Sequence, residues 1–174
     1  MIISVEDVKK FITTTESDEV LEAKLQALEL MVREYTNNNF QIRTIRTLCQ
    51  VMTQKLYGNN PYFEVGDTIE ISQSAYNDGV YTITEKDESF ITLDRKLIDE
   101  NTVLVTKVMY PPNVKMGVVD MLKWDLENRD KIGVQSETIS RHSVTYFNMD
   151  GDNSTMGYPK SMLGFLKPYM KPRF

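Results

Sequence analysis

Two hydrophobic periods divide this chain, and their order limits what it can fold into. Between Ser17 and Thr36, Leu21, Leu25, Leu28, Val32 and Tyr35 recur at intervals of 4, 3, 4 and 3, the spacing of one helical face. Over residues 44–108 the period falls to that of half-buried strands, as where Ile69 and Ile71 alternate with polar neighbours. After Pro111-Pro112 the helical spacing returns. The expected fold class is therefore α+β, a helical bundle with an inserted small antiparallel β-barrel domain. Residues 1–43 and 109–174 form the helical part and residues 44–108 the insert. Insertion requires only that the ends of the barrel lie close together on the surface.

Local signals fill in this plan. Ser4 and Asp7 have the spacing of a capping box, which opens a short helix ending near Phe11–Ile12. A second helix starts between Thr15 and Ser17, with Asp18 and Glu19 where the helix dipole favours acids. Asn37-Asn38-Asn39 stops it, because Asn tolerates the left-handed conformation. Candidate strands follow at Thr47 to Leu56, Thr68 to Ile71, Val80 to Thr84, Phe90 to Leu93 and Thr102 to Thr106. Asn77-Asp78-Gly79 supplies a hairpin signal among them. Short strands at this spacing favour a closed barrel, which leaves no exposed edges.

A third helix is expected from Pro112 to about Arg129. Its apolar residues from Val114 to Leu126 span roughly 220° of its circumference, against the 100° or so that a surface helix needs. Either its own domain sandwiches it or a second protomer covers it. Ile139 to Phe147 reads as extended and Asn148 to Gly157 as a polar loop. A last helix begins at Pro159, with Met162, Phe165, Leu166 and Tyr169 on one face.

Composition excludes more than it suggests. The 174 residues carry 20 Lys and Arg against 25 Asp and Glu, a net charge of −5, with one Cys and one His. An internal disulfide, a CxxC centre and a Cys/His zinc site are thus ruled out within one chain. No apolar run approaches the 18 or so residues that span a bilayer. Glu6 and Asp7 interrupt the N-terminal segment, so no signal peptide is expected and the chain reads as intracellular.

Nucleophile-elbow, phosphate-loop and dinucleotide motifs are absent. Asn148 to Asn153 resembles a calcium loop, but the twelfth position is Pro159 where a bidentate Glu is needed. His142 cannot use Ser143 as a nucleophile, since neighbours on a strand point to opposite faces. Cys49 reads as a small buried hydrophobe. The pairs Asp87-Glu88 and Asp99-Glu100 read as solvated turn carboxylates. No catalytic site, cofactor or metal is expected.

Charge is unevenly spread. Residues 1–43 hold 5 basic and 8 acidic groups, residues 44–108 hold 6 and 10, and residues 109–174 hold 9 and 7. Acid dominance over most of the chain disfavours tight binding to phosphate backbones. The last fifteen residues carry Lys160, Lys167, Lys171 and Arg173 and no acid, amid Tyr, Phe and Met. Those side-chain types are enriched at interface cores. Docking of a partner, packing on the chain's own bundle and nucleic-acid contact are the alternatives for this segment.

Three stretches resemble the head–tail connector (adaptor) proteins of long-tailed bacteriophages and prophages of Gram-positive bacteria. They are Met1 to Phe11 with the following helix and Tyr35 to Phe40; Phe63 to Ile83; and Ile139 to Tyr146 with Gly157-Tyr158-Pro159 and Leu163 to Leu166. The resemblance implies a virion protein of the neck, assembled in the host cytoplasm and without enzymatic activity. It implies a ring, expected to be a dodecamer, that sits under the portal protein and continues the DNA channel towards a head-closure or tail-completion protein. DNA would pass through without specific binding.

By the same likeness, Tyr158, Pro159, Phe165, Leu166, Tyr169, Met170, Arg173 and Phe174 would contact the portal or a neighbouring protomer. The free protein would be monomeric, with termini that order on assembly. A head-closure or tail-completion protein, or a β-domain module that recognises a peptide or nucleic acid, is the alternative.

Overall fold

A computed structural model describes residues 1–58, 60–128 and 152–173, together with the strands Ser136–Ile139 and His142–Thr145. The chain divides into two compact units. One comprises Met1–Ile2 with Asn39–Tyr110, the other Ile3–Asn38 with Pro111–Phe174.

The first unit is a closed barrel of β1 (Gln41–Met52), β2 (Lys55–Tyr57), β3 (Thr68–Ser72), β4 (Gly79–Lys86), β5 (Phe90–Leu93) and β6 (Glu100–Val108). Around the barrel the order is β1-β2-β5-β4-β3-β6, with every pairing antiparallel. Alternation explains the closure. Val51, Ile69, Ile71, Ile83, Ile91, Val103 and Val105 point inward, are at most 1% exposed, and meet Phe63 at the centre of one core. Burying each such side chain stabilises the fold by about 1.5–3 kcal/mol.

Two turns differ from the sequence reading. The run from Thr47 to Leu56 is split by a two-residue turn in which Thr53 and Gln54 have φ of 49° and 64°. Positive φ at both central residues is what a tight hairpin requires, although Asn-Gly normally supplies it. The β3–β4 hairpin is not a tight turn on Asn77-Asp78-Gly79, because residues 73–78 intervene. Asn77 is instead buried, and its side chain organises that loop.

The second unit contains α1 (Val5–Val8), α2 (Asp18–Thr36), α3 (Pro112–Asn128) and a 3-10 helix (Lys160–Tyr169). It also holds the small hairpins β7 (Ser136–Ile139)–β8 (His142–Thr145) and β9 (Ser154–Thr155)–β10 (Tyr158–Pro159). The Ser4 hydroxyl accepts from the Asp7 amide, and the Ser17 hydroxyl caps α2 through the Val20 amide. Asn37 ends α2 at φ 49° in the left-handed region. Leu21, Leu25, Leu28 and Val32 are buried, as their spacing predicts.

The expected fold class, a helical bundle with an inserted small barrel, is corrected by this structure. The closed six-stranded barrel is the dominant body, and helix among the described residues is confined to four short elements. The physical reason is where large apolar side chains are buried. Phe63, Leu56, Ile69, Ile71, Ile83 and Ile91, half of the largest fully buried side chains, lie in the barrel. β1 also begins at Gln41, so the chain turns extended before residue 44. The last helix is a 3-10 segment bounded by Pro159 and containing Pro168, which has no amide to donate. Among the described residues no helix is long and apolar enough to cross a membrane.

Candidate interaction site

Residues 158–173 carry the candidate interaction residues. The helical unit places them with specific bonds. Tyr158 is 2% exposed, and its hydroxyl donates to Asp125 Oδ2 on α3 at 2.8 Å. Its ring meets that of Trp124 with centroids 5.3 Å apart. Pro159 pairs with Ser154, and the next amide, of Lys160, donates to Asn153 O at 2.8 Å. Leu163 and Leu166 are buried, whereas Phe165 is half-buried with its ring against Gly117.

Beyond the 3-10 helix the chain straps the end of α2. Asn38 Nδ2 donates to Tyr169 O at 3.0 Å, and the Lys171 amide donates to Thr36 O at 2.8 Å. Asn37 Nδ2 donates to Pro172 O at 2.7 Å, and the Arg173 guanidinium donates to Glu34 O at 2.8 Å. Thr36 and Glu34 offer carbonyls from the last turn of α2, where Glu34 O also accepts from the amide of the capping Asn37 at 3.3 Å. A cation there also complements the helix dipole. The Tyr169 hydroxyl donates to Asn113 Oδ1 at 2.8 Å.

The expected interaction residues thus separate into groups. Tyr158 and Leu166 are buried by their own unit. Pro159, Phe165 and Tyr169 are half-buried, while Met170 (50% exposed) and Arg173 face outward. Phe174 lies outside the described residues. Rather than waiting for a partner to order it, the segment through Arg173 is already tied to α2.

The wide apolar arc of α3 is also accounted for. Val114, Val118, Val119, Met121 and Leu122 are buried, and α3 packs on α2 and the 3-10 helix. The sandwiched alternative therefore describes α3, and Met116, 40% exposed, is left at its rim.

A cavity of about 370 Å³ is lined by Lys24, Ala27, Leu28, Met31, Asp125, Met156 and Tyr158. Its carboxylate, Asp125, is engaged by the Tyr158 hydroxyl. Cys49 is buried in the barrel with its thiol donating to Gly58 O at 3.0 Å, and burial pushes its pKa up to about 11. That is the behaviour of an inert core thiol.

Glu100 is a loop anchor rather than a solvated turn carboxylate. It accepts from the Ser74 hydroxyl, the Ala75 amide at 2.8 Å and Asn77 Nδ2 at 3.1 Å. These bonds, led by that from Ser74, hold its carboxyl below the usual glutamate value. The Asp87 amide closes a turn onto Phe90 O at 2.9 Å. His142 pairs through its backbone with Ile139, while Ser140, Arg141 and Asn148 to Gly151 lie outside the described residues. Among the described residues no group of His, Cys, Asp and Glu is arranged to hold a metal ion.

The bonds that seat Tyr158 and the terminal strap join residues 33 to 139 positions apart. No local spacing signals them. No protein-family model matches the chain, and no curated protein matches it by sequence.

Proposed function

We propose that this chain is a structural connector of a bacteriophage neck. Copies of it would form a ring beneath the portal that joins the DNA-filled head to the tail. One observation carries the reading. The basic terminal strap is fixed by four hydrogen bonds on the end of α2, with Met170 and Arg173 presented outward. A segment ordered before it meets its partner loses little conformational entropy on docking. Many modest contacts repeated around a ring then give strong attachment.

The resemblance of the chain's opening, middle and ending to connector proteins supports the same reading. So does the acid excess over 44–108, because a conduit wall of net negative charge does not hold passing phosphate.

The test is attachment to purified portal particles. Met170→Asp, which leaves all four strap bonds in place, is expected to weaken co-sedimentation with the portal by about tenfold or more, since a new charge at an interface core is strongly unfavourable. The circular dichroism spectrum should stay unchanged. Equal attachment of the variant and the natural chain, or no attachment of either, overturns the proposal.

A further inference from the structure

Three positions of α2 lie outside its buried stripe and line a cavity instead. Lys24, Ala27 and Met31, with Leu28, have the i, i+3, i+4, i+7 spacing that puts them on one face of the helix. That face forms a wall of the cavity of about 370 Å³. Ala27 stands between Lys24 and Met31 and contributes only a methyl group, which leaves room that a larger side chain would take. The volume falls in the range of roughly 300–1,000 Å³ typical of small-molecule sites.

Further lining comes from the β9–β10 hairpin. Tyr158 is held there by the Trp124 ring and by its bond to Asp125. Met156 and Gly157 are the two central residues of the turn, with φ of 54° and 79°. Asn-Gly is the pair such a turn prefers, and a bulky side chain at positive φ is uncommon. The turn nevertheless carries a Met, whose thioether lines the cavity. A disfavoured backbone that sets a side chain against a cavity is a mark of a working site.

Charge in the cavity is one-sided. Asp125 is 9% exposed and accepts from the Tyr158 hydroxyl at 2.8 Å. Lys24 is half-buried and makes no hydrogen bond or ion pair among the described residues. We propose that this cavity binds a small amphiphilic anion, an apolar carbon body bearing one carboxylate or sulfonate. Lys24 takes the anionic group. Leu28, Met31, Met156 and the Tyr158 ring cover the apolar body, and the two unbranched thioethers adapt to its shape.

The experiment is a fluorescence titration of the full chain with two probes. One is anilinonaphthalene sulfonate; the other is N-phenylnaphthylamine, the same aromatic body without the charge. The natural chain is expected to bind the sulfonate saturably at one site, from which octanoate displaces it. Lys24→Met should weaken the sulfonate by about fivefold and leave the neutral probe unchanged, because only the charged contact is lost. Ala27→Phe, at an exposed helix position, should abolish both while the circular dichroism spectrum stays the same. Met156→Asn puts the preferred pair in the turn, so it should raise the melting temperature while weakening both probes by about fivefold. A purely structural Met156 would not separate stability from binding in this way.

Absence of saturable sulfonate binding by the natural chain overturns the proposal. So does binding indifferent to Lys24→Met or to Ala27→Phe, and so does Met156→Asn that leaves both affinities unchanged. The site does not depend on the connector reading. Ala27→Phe should attach to portals as the natural chain does, so either reading fails without the other.

Discussion

The ring of Phe165 lies so close to Gly117 that a β-carbon on Gly117 would come within 2.4 Å of it. Gly117 is in the middle of α3, where glycine disfavours the helix by about 1 kcal/mol relative to Ala. That penalty is offset by the seat it gives an aromatic ring against the helix backbone. The contact joins α3 to the 3-10 helix and so positions the strap that follows.

Gly117→Ala is expected to destabilise the protein by about 1–3 kcal/mol, because overpacking exceeds the gain in helix propensity. Gly164→Ala, with open space around its β-carbon, is expected to be neutral or slightly stabilising. Thermal melts of the two variants should therefore shift in different directions. Combining Gly117→Ala with Phe165→Leu should recover part of the loss, the non-additivity expected of residues in contact.

Asn77 joins the β3–β4 loop to the β5–β6 connection at Ile98. Its side chain donates to Ile98 O at 2.9 Å and accepts from the Ile98 amide at 2.8 Å, while its carbonyl accepts from the Tyr81 hydroxyl at 2.9 Å. Asn77→Ala leaves the Ile98 amide and carbonyl without these partners and is expected to lose about 2–4 kcal/mol in urea unfolding. Asn77→Asp keeps the acceptor, loses the donor and sets a charge beside Glu100, so it should be no better than the Ala variant.

Glu100 predicts a pH dependence. Its folded pKa lies below the ordinary 4.5, because the charged form accepts bonds from Ser74, Ala75 and Asn77. Its contribution is therefore present above 4.5 and lost as pH falls through the depressed folded value. The stability difference between the natural chain and Glu100→Gln, measured by urea unfolding, should be constant from neutral pH down to about 5 and shrink below it.

Cys49 should react only when the barrel opens. With its thiol buried and its pKa near 11, little thiolate exists at pH 8. Labelling by a chromogenic disulfide reagent should be slow in buffer and fast in denaturant. Fast labelling in buffer would mean that the β1–β2 hairpin opens readily.

Much of this architecture was legible where physics is local. The spacing of Leu21, Leu25, Leu28 and Val32 gave α2 its buried face, and Asn37 its left-handed stop. Alternation around Ile69 and Ile71 gave a strand. What could not be read depends on contacts distant in sequence. Thr53-Gln54 turns because flanking strands pair, not because of its own preferences. The start of β1 at Gln41 is set by pairing with Val108. For Tyr158, Leu166 and the terminal strap, nothing near them in sequence reveals Asp125 or the end of α2 as partners.

The connector role is tested most directly by electron microscopy of purified portal particles mixed with this protein. The account predicts an additional ring of density, coaxial with the portal, on the end that faces away from the capsid interior. Portals that remain bare at saturating protein concentration would contradict it.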